Sequence, residues 1–170
     1  MRWMVAVLAS LAAWPAGVAA EPPSEDVVAF SVVRRGVQDP RAFVASRYEA
    51  YLRDPNGPDE PAFAYSDRLG ALFLAYEDWT EQHDDLVGSL VFDWWTNAQD
   101  WALADVRVTE ARDGPDRRTV RARFSNGGRP DEIRFLFVRQ GELWFLDDAI
   151  EGTGSGDGGW TLSDLLRERE

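Results

Sequence analysis

The stretch from Asp105 to Ile150, DVRVTEARDGPDRRTVRARFSNGGRPDEIRFLFVRQGELWFLDDAI, changes character at every second residue. Val106 and Val108 alternate with Arg107 and Thr109. Val120, Ala122 and Phe124 alternate with Arg121 and Arg123, and Ile133, Phe135 and Phe137 with Arg134 and Leu136. Successive side chains of a strand point to opposite faces, so a period of two gathers the apolar set on one side. Asp113-Gly114-Pro115-Asp116, Asn126-Gly127-Gly128 and Gln140-Gly141 break the pattern with residues suited to tight turns. The last strand runs from Leu143 to Ile150. Short strands joined by tight turns make an antiparallel meander with one face on a core. The other face carries Arg107, Arg121, Arg123 and Arg134 and is expected to be solvated.

Upstream, the period lengthens to that of a helix. Asp39-Pro40 opens one, with Asp as cap and Pro in the first turn. Phe43, Val44, Tyr48, Tyr51 and Leu52 form its apolar stripe, and Pro55-Asn56-Gly57-Pro58 stops it. A second helix starts at Ser66 with Asp67 in its first turn, where negative charge favours the dipole. Its inner face is Leu69, Leu72, Phe73, Tyr76 and Trp79, and it ends in the polar run from Glu81 to Asp85. After the sheet, the composition of GTGSGDGG (152–159) is that of a flexible linker. Thr161 is expected to cap a short last helix bearing Leu162, Leu165 and Leu166. The elements together predict an α+β fold: a curved antiparallel sheet with helices packed on one face.

The N-terminus reads MRWMVAVLASLAAWPAGVAA before EPPSED. One basic residue, an apolar run and small residues at Val18 and Ala20 make the three-part pattern of an export signal. Cleavage is expected between Ala20 and Glu21, leaving no membrane anchor and a periplasmic or secreted protein. The predicted organisation is a signal peptide over 1–20, an entry segment over 21–38 with a short strand around Val27 to Val33, and one α+β domain over 39–170. A domain of this size buries enough surface to fold without staples, and the chain contains no cysteine.

Composition narrows the chemistry further. All 18 basic residues are arginine, against 30 acids, for a net charge of −12. Without lysine there is no Schiff base and no phosphate-loop lysine. Without cysteine there is no thiolate nucleophile, and one histidine cannot build a two-histidine metal triad. No cofactor or metal is expected. Strong negative charge repels phosphate backbones, so nucleic acid is not an expected partner; a small ligand or an envelope protein is.

Candidate site residues come from two places. The stretch Phe92-Asp93-Trp94-Trp95-Thr96-Asn97-Ala98-Gln99-Asp100-Trp101 is the densest mixture of aromatic and polar groups. Neighbouring tryptophans in regular structure cannot both enter one core, so one of Trp94 and Trp95 is expected against a loop, a pocket or solvent. Trp95 and Trp101 could stack on a sugar or planar ligand, with Asp93, Gln99 and Asp100 hydrogen-bonding to it; the alternative is that these side chains pin the helix-to-sheet crossover, with buried carboxylates capping backbone amides. The other place is Asp147 and Asp148 at the end of the last strand, one of which points inward if the alternation holds. An inward carboxylate is either a structural acceptor or a base with a raised pKa. His83, beside Asp84 and Asp85, fits a helix-terminal role better than a metal site, since adjacent residues on one helix do not converge.

Several of these pieces recur together in a known group. The run from Arg41 to Tyr51, the helix from Ser66 to Tyr76, Asp93 with Gln99-Asp100-Trp101, the strand from Leu143 to Ile150, and Trp160-Thr161-Leu162 with Leu165-Leu166 resemble the bacterial domain-of-unknown-function family 3828. The likeness covers most of residues 39 to 166, and Trp94-Trp95 stands where a proline-aromatic pair is expected. That family looks like part of the nuclear-transport-factor-2-like superfamily, which implies a cystatin-like cone of helices and curved sheet around a pocket. The fold hosts both enzymes and binding domains. The expected function is a non-catalytic binding or accessory module. The alternatives are a small acid–base enzyme using Asp93, Asp100 or Asp147 and His83, and an immunity or inhibitor protein for an envelope enzyme.

Overall fold

The computed structural model describes residues 35–54, 56–83, 88–152 and 159–168. The expected export signal, the entry strand around Val27 to Val33 and residues 153–158 of the glycine-rich stretch lie outside the described residues. The elements are α1 (Pro40–Tyr51), a 3-10 turn (Ala62–Ala64), α2 (Asp67–Gln82), β1 (Leu103–Arg112), β2 (Arg117–Asn126), β3 (Arg129–Gln140), β4 (Leu143–Glu151) and α3 (Leu162–Leu165). The four strands form one open antiparallel sheet in the order β1-β2-β3-β4. This is the α+β meander that the period of two predicts.

The apolar positions of β2 and β3 form the floor of the core: Val120, Ala122, Phe124, Ile133, Phe135 and Phe137 are all buried. α1 lays Val44, Tyr48 and Tyr51 on that floor, with the Tyr48 ring 5.3 Å from Phe124 and 6.3 Å from Phe135. Each large side chain taken from water contributes roughly 1.5–3 kcal/mol, so this stripe holds α1 to the sheet. The Asp39 carboxylate accepts from Ala42 N at 2.9 Å and Pro40 occupies the first turn, as expected. Leu52 does not belong to the stripe. The helix ends at Tyr51, and Leu52, in the cap, is 52% exposed.

At the far side of the sheet, one guanidinium joins three elements. In the β3–β4 register Leu136 faces Asp148 and Phe137 faces Leu146, so Asp147 is an extra residue, a bulge. The strict alternation that would send one of the two aspartates inward is suspended there, and both carboxylates reach Arg68 of α2. Arg68 Nε lies 3.2 and 3.3 Å from the Asp147 oxygens, and Nη2 lies 3.0 Å from Asp148 Oδ2 and also donates to the Asp147 carbonyl. Ser66, the α2 cap, accepts from Leu69 N and donates to Asp147 Oδ1 at 2.6 Å.

Asp148 also sets α3. Thr161 stands at the cap position, but its side chain makes no capping bond. The free N–H of Ser163 is instead taken by Asp148 Oδ1 at 3.0 Å, a cap supplied from the neighbouring strand. The outer edge of β4 is screened by short bridges from Val37, Tyr65 and Thr161, which limits its use as a template for foreign strands.

Asp148→Ala removes the α3 cap and one acceptor of Arg68 together. It should lower stability by about 3 kcal/mol, read from urea unfolding, whereas Asp164→Ala on the exposed side of α3 should leave the midpoint nearly unchanged.

Candidate ligand-binding site

Between α2 and β1 the chain makes a compact loop built by Asp93. Asp93 N donates to Ala98 O at 2.9 Å, and Ala98 N returns to Asp93 O at 3.3 Å, closing residues 94–97 into a loop. The Asp93 carboxylate caps it from within: Oδ1 accepts from Trp95 N (2.8 Å) and Thr96 N (3.2 Å), and Oδ2 from the Tyr51 hydroxyl at 2.6 Å. Asn97 takes a left-handed φ of 53°, which asparagine tolerates better than most residues. Its side chain accepts from Trp160 Nε1 at 2.7 Å and donates to Asp131 Oδ2 at 3.1 Å.

This turn overturns one expectation. Trp94 and Trp95 both enter the core, 4% and 1% exposed, with rings 4.7 Å apart. The rule that separates neighbouring side chains applies to strands and helices, and residues 94–97 are neither. Trp95 lies 4.7 Å from the Phe135 ring in a stacked arrangement, while its backbone carbonyl accepts from the Tyr48 hydroxyl.

Above this buried layer lies a half-open groove of about 760 Å³. One wall is Asn97, Ala98, Asp100, Trp101 and Ala102, and the other is the β2–β3 turn with Asn126, Arg129 and Asp131. The two walls are bonded together. Gly127 N donates to Ala102 O at 3.1 Å, Ala102 N donates to Asn126 Oδ1 at 2.8 Å, and Asn126 Nδ2 donates to Thr96 O at 3.1 Å. Gly127 and Gly128 have φ of 57° and 83°; two successive positive values favour glycine at both positions of such a hairpin turn. The half-buried Trp101 ring is braced edge-on by Tyr51 at 5.2 Å. Among the described residues, the side chains of Asp100 and Arg129 make no hydrogen bond or ion pair, and both line the groove uncommitted.

The residues singled out by sequence thus divide into three groups. Asp100 and Trp101 line the groove. Asp93 and Trp95 support it from below, and Gln99 stands beside it, exposed, with Nε2 bonded to Val91 O at 3.1 Å. Asp147 and Asp148 belong to the Arg68 cluster and do not line the groove. Asn126, Arg129 and Asp131 were missed; their sequence signal was only that of a turn. His83 ends α2, stacked on Trp79 at 5.0 Å with Nδ1 2.9 Å from the Trp79 carbonyl. Among the described residues no group of three or more His, Cys, Asp or Glu could hold a metal, and no helix is long and apolar enough to cross a membrane.

The chain matches no family model, no curated protein and no solved structure. Its chemistry is therefore argued from the site alone.

One further group lies next to the loop and was not legible in the sequence. Arg47 of α1 stacks over the Trp95 ring at 5.0 Å and donates to the carbonyls of Pro58 and Asp59. This fastens the 56–60 segment against Tyr51. Glu60 is an exposed residue of this segment whose carboxyl loses part of its hydration to neighbouring atoms. That loss pushes it up to about 7; Arg47 and the Trp95 indole N–H draw it down, while Asp93 and Glu77 raise it. The indole N–H is buried and makes no aligned hydrogen bond. The Tyr51 phenol is raised too, first by burial and then by its bond to Asp93.

A carboxyl whose folded pKa lies above its ordinary value of 4.5 binds its proton more tightly in the native chain. Its stabilising contribution is full below that value and is lost as pH rises through about 7. Wild-type stability should therefore fall relative to Glu60→Gln across this window, measured by urea unfolding at a series of pH values. A constant difference between the two proteins would assign the carboxyl an ordinary environment.

Proposed function

We propose that the protein is an exported, non-catalytic binding module of the periplasm that takes a neutral, hydroxyl-rich ligand of the sugar type in the groove beside Trp101. The observation that carries this reading is the composition of the groove: a braced indole face flanked by an uncommitted carboxylate, Asp100, and an uncommitted guanidinium, Arg129. Sugars present an apolar C–H face to stack on such a ring and hydroxyls to bond both charges. The asparagines that complete the walls are already bonded to backbone or to Trp160 and Asp131. The walls are thus set before a ligand arrives, which reduces the entropic cost of binding.

Export rests on the three-part pattern of residues 1–20. The nuclear-transport-factor-2-like cone is part of the same proposal. It is supported by two helices preceding a four-strand antiparallel meander, together with the resemblance of its sequence motifs to those of the domain-of-unknown-function family. A second reading, acid–base chemistry, has Glu60 in its favour, since a carboxyl near 7 suits proton transfer at neutral pH. Of the aspartates first considered for that role, Asp93 is engaged in capping and Asp147 is paired with Arg68.

A thermal-shift panel of cell-wall sugars and their fragments tests the binding reading on residues 21–170. A ligand at a hundredfold its dissociation constant adds about 2.7 kcal/mol, a shift of several degrees. Trp101→Ala should weaken binding about tenfold or more while leaving the fold intact by circular dichroism. A panel without a shift, or a shift that survives Trp101→Ala, would sink the assignment of this groove.

A further inference from the structure

The sheet face turned away from the core carries Arg107 on β1, Arg121 and Arg123 on β2 and Arg134 on β3, on a chain whose net charge is −12. The register sets Arg107 directly opposite Arg123, and Arg121 directly opposite Arg134. Neighbouring strands are about 4.8 Å apart, and like charges placed opposite one another destabilise a sheet. Two such pairs side by side form a compact lattice of positive charge.

One carboxylate answers it. Glu132, opposite Arg123, lies 2.6 Å from Arg123 Nε and 3.0 Å from Arg121 Nε, the latter an ion pair without hydrogen-bond alignment. Arg107 and Arg134 have no carboxylate partner among the described residues, and Arg134 Nε is buried without an acceptor. Asp148, which the register places two residues from the partner of Arg134, is committed to Arg68 and Ser163.

We propose that this face docks an acidic segment of a partner protein, whose carboxylates engage Arg107 and Arg134 and relieve the repulsion of the lattice. Guanidinium groups suit this role because their planar fork binds carboxylates through paired hydrogen bonds. The overall charge selects the kind of partner. An extended polyanion or an anionic bilayer would meet the rest of an acidic surface, whereas screening over about 10 Å at 0.1 M salt lets a short acidic segment feel mainly the patch. The surface is separate from the Trp101 groove and does not depend on a ligand there.

The test uses hexaglutamate as probe and residues 21–170 as the protein, with binding followed by fluorescence anisotropy at low and at physiological salt. The wild type should bind, more weakly as salt rises. Arg107→Gln with Arg134→Gln should bind about tenfold or more weakly, and Trp101→Ala should bind as the wild type does. The double variant should melt no lower than the wild type at low salt, since repulsion has been removed. Should it not fold, the exposed single change Arg107→Gln carries the same comparison. No binding at low salt would overturn the proposal, as would equal binding by the variants. Tighter binding to inorganic phosphate or to phosphatidylglycerol vesicles than to hexaglutamate would also overturn it, in favour of a phosphate-bearing ligand.

Discussion

The Arg68 guanidinium is where three elements of this fold meet. It rises from the first turn of α2, reaches both carboxylates at the bulge of β4, and through Asp148 is tied to the start of α3. The buried charge of Asp148 is tolerated because the cation and two backbone N–H groups satisfy it. The bulge is what lets adjacent residues of one strand serve the same cation. A regular strand would turn one of them to the other side, and α2 and α3 would lose their common anchor on β4.

For the loop before β1 the corresponding constraint is the Asp93 carboxylate. It closes the loop that sends two tryptophans into the core, and its bond to Tyr51 ties that loop to α1. Because the indoles of Trp94 and Trp95 are packed beneath, the next aromatic, Trp101, is left at the rim. The groove is therefore a by-product of how the core is filled: the same loop that completes the apolar layer supplies a half-exposed ring and one free charge, Asp100, facing Arg129 of β3.

The parts of the structure legible in the sequence were those governed by near neighbours. Val120 to Phe124 and Ile133 to Phe137 announced strands because their partners lie one hairpin away, and Asp39-Pro40 and Ser66-Asp67 announced helix starts because a cap acts within three residues. What stayed hidden was set by distant groups. The bulge at Asp147 answers to Arg68 on another element. The cap of α3 comes from Asp148 rather than from Thr161. Glu60 becomes unusual only through the loss of hydration that its folded neighbours impose, which Arg47 and Trp95 offset in part. Of the groove, the Asp100-Trp101 wall was legible from its composition. The Arg129 and Asp131 wall lay in a turn whose sequence carries no sign of what it faces.

The meander order has a consequence for how the chain assembles. Every strand pairs with its neighbour in sequence, so the sheet can grow by successive short loop closures, each with a small entropic cost. The groove cannot form in that way, because its second wall must wait for the 93–102 loop to dock on a completed β2–β3 hairpin. Its polar rim adds little buried apolar surface, and such regions open first under stress. A nascent or partly unfolded chain would then hold its sheet before it holds its groove.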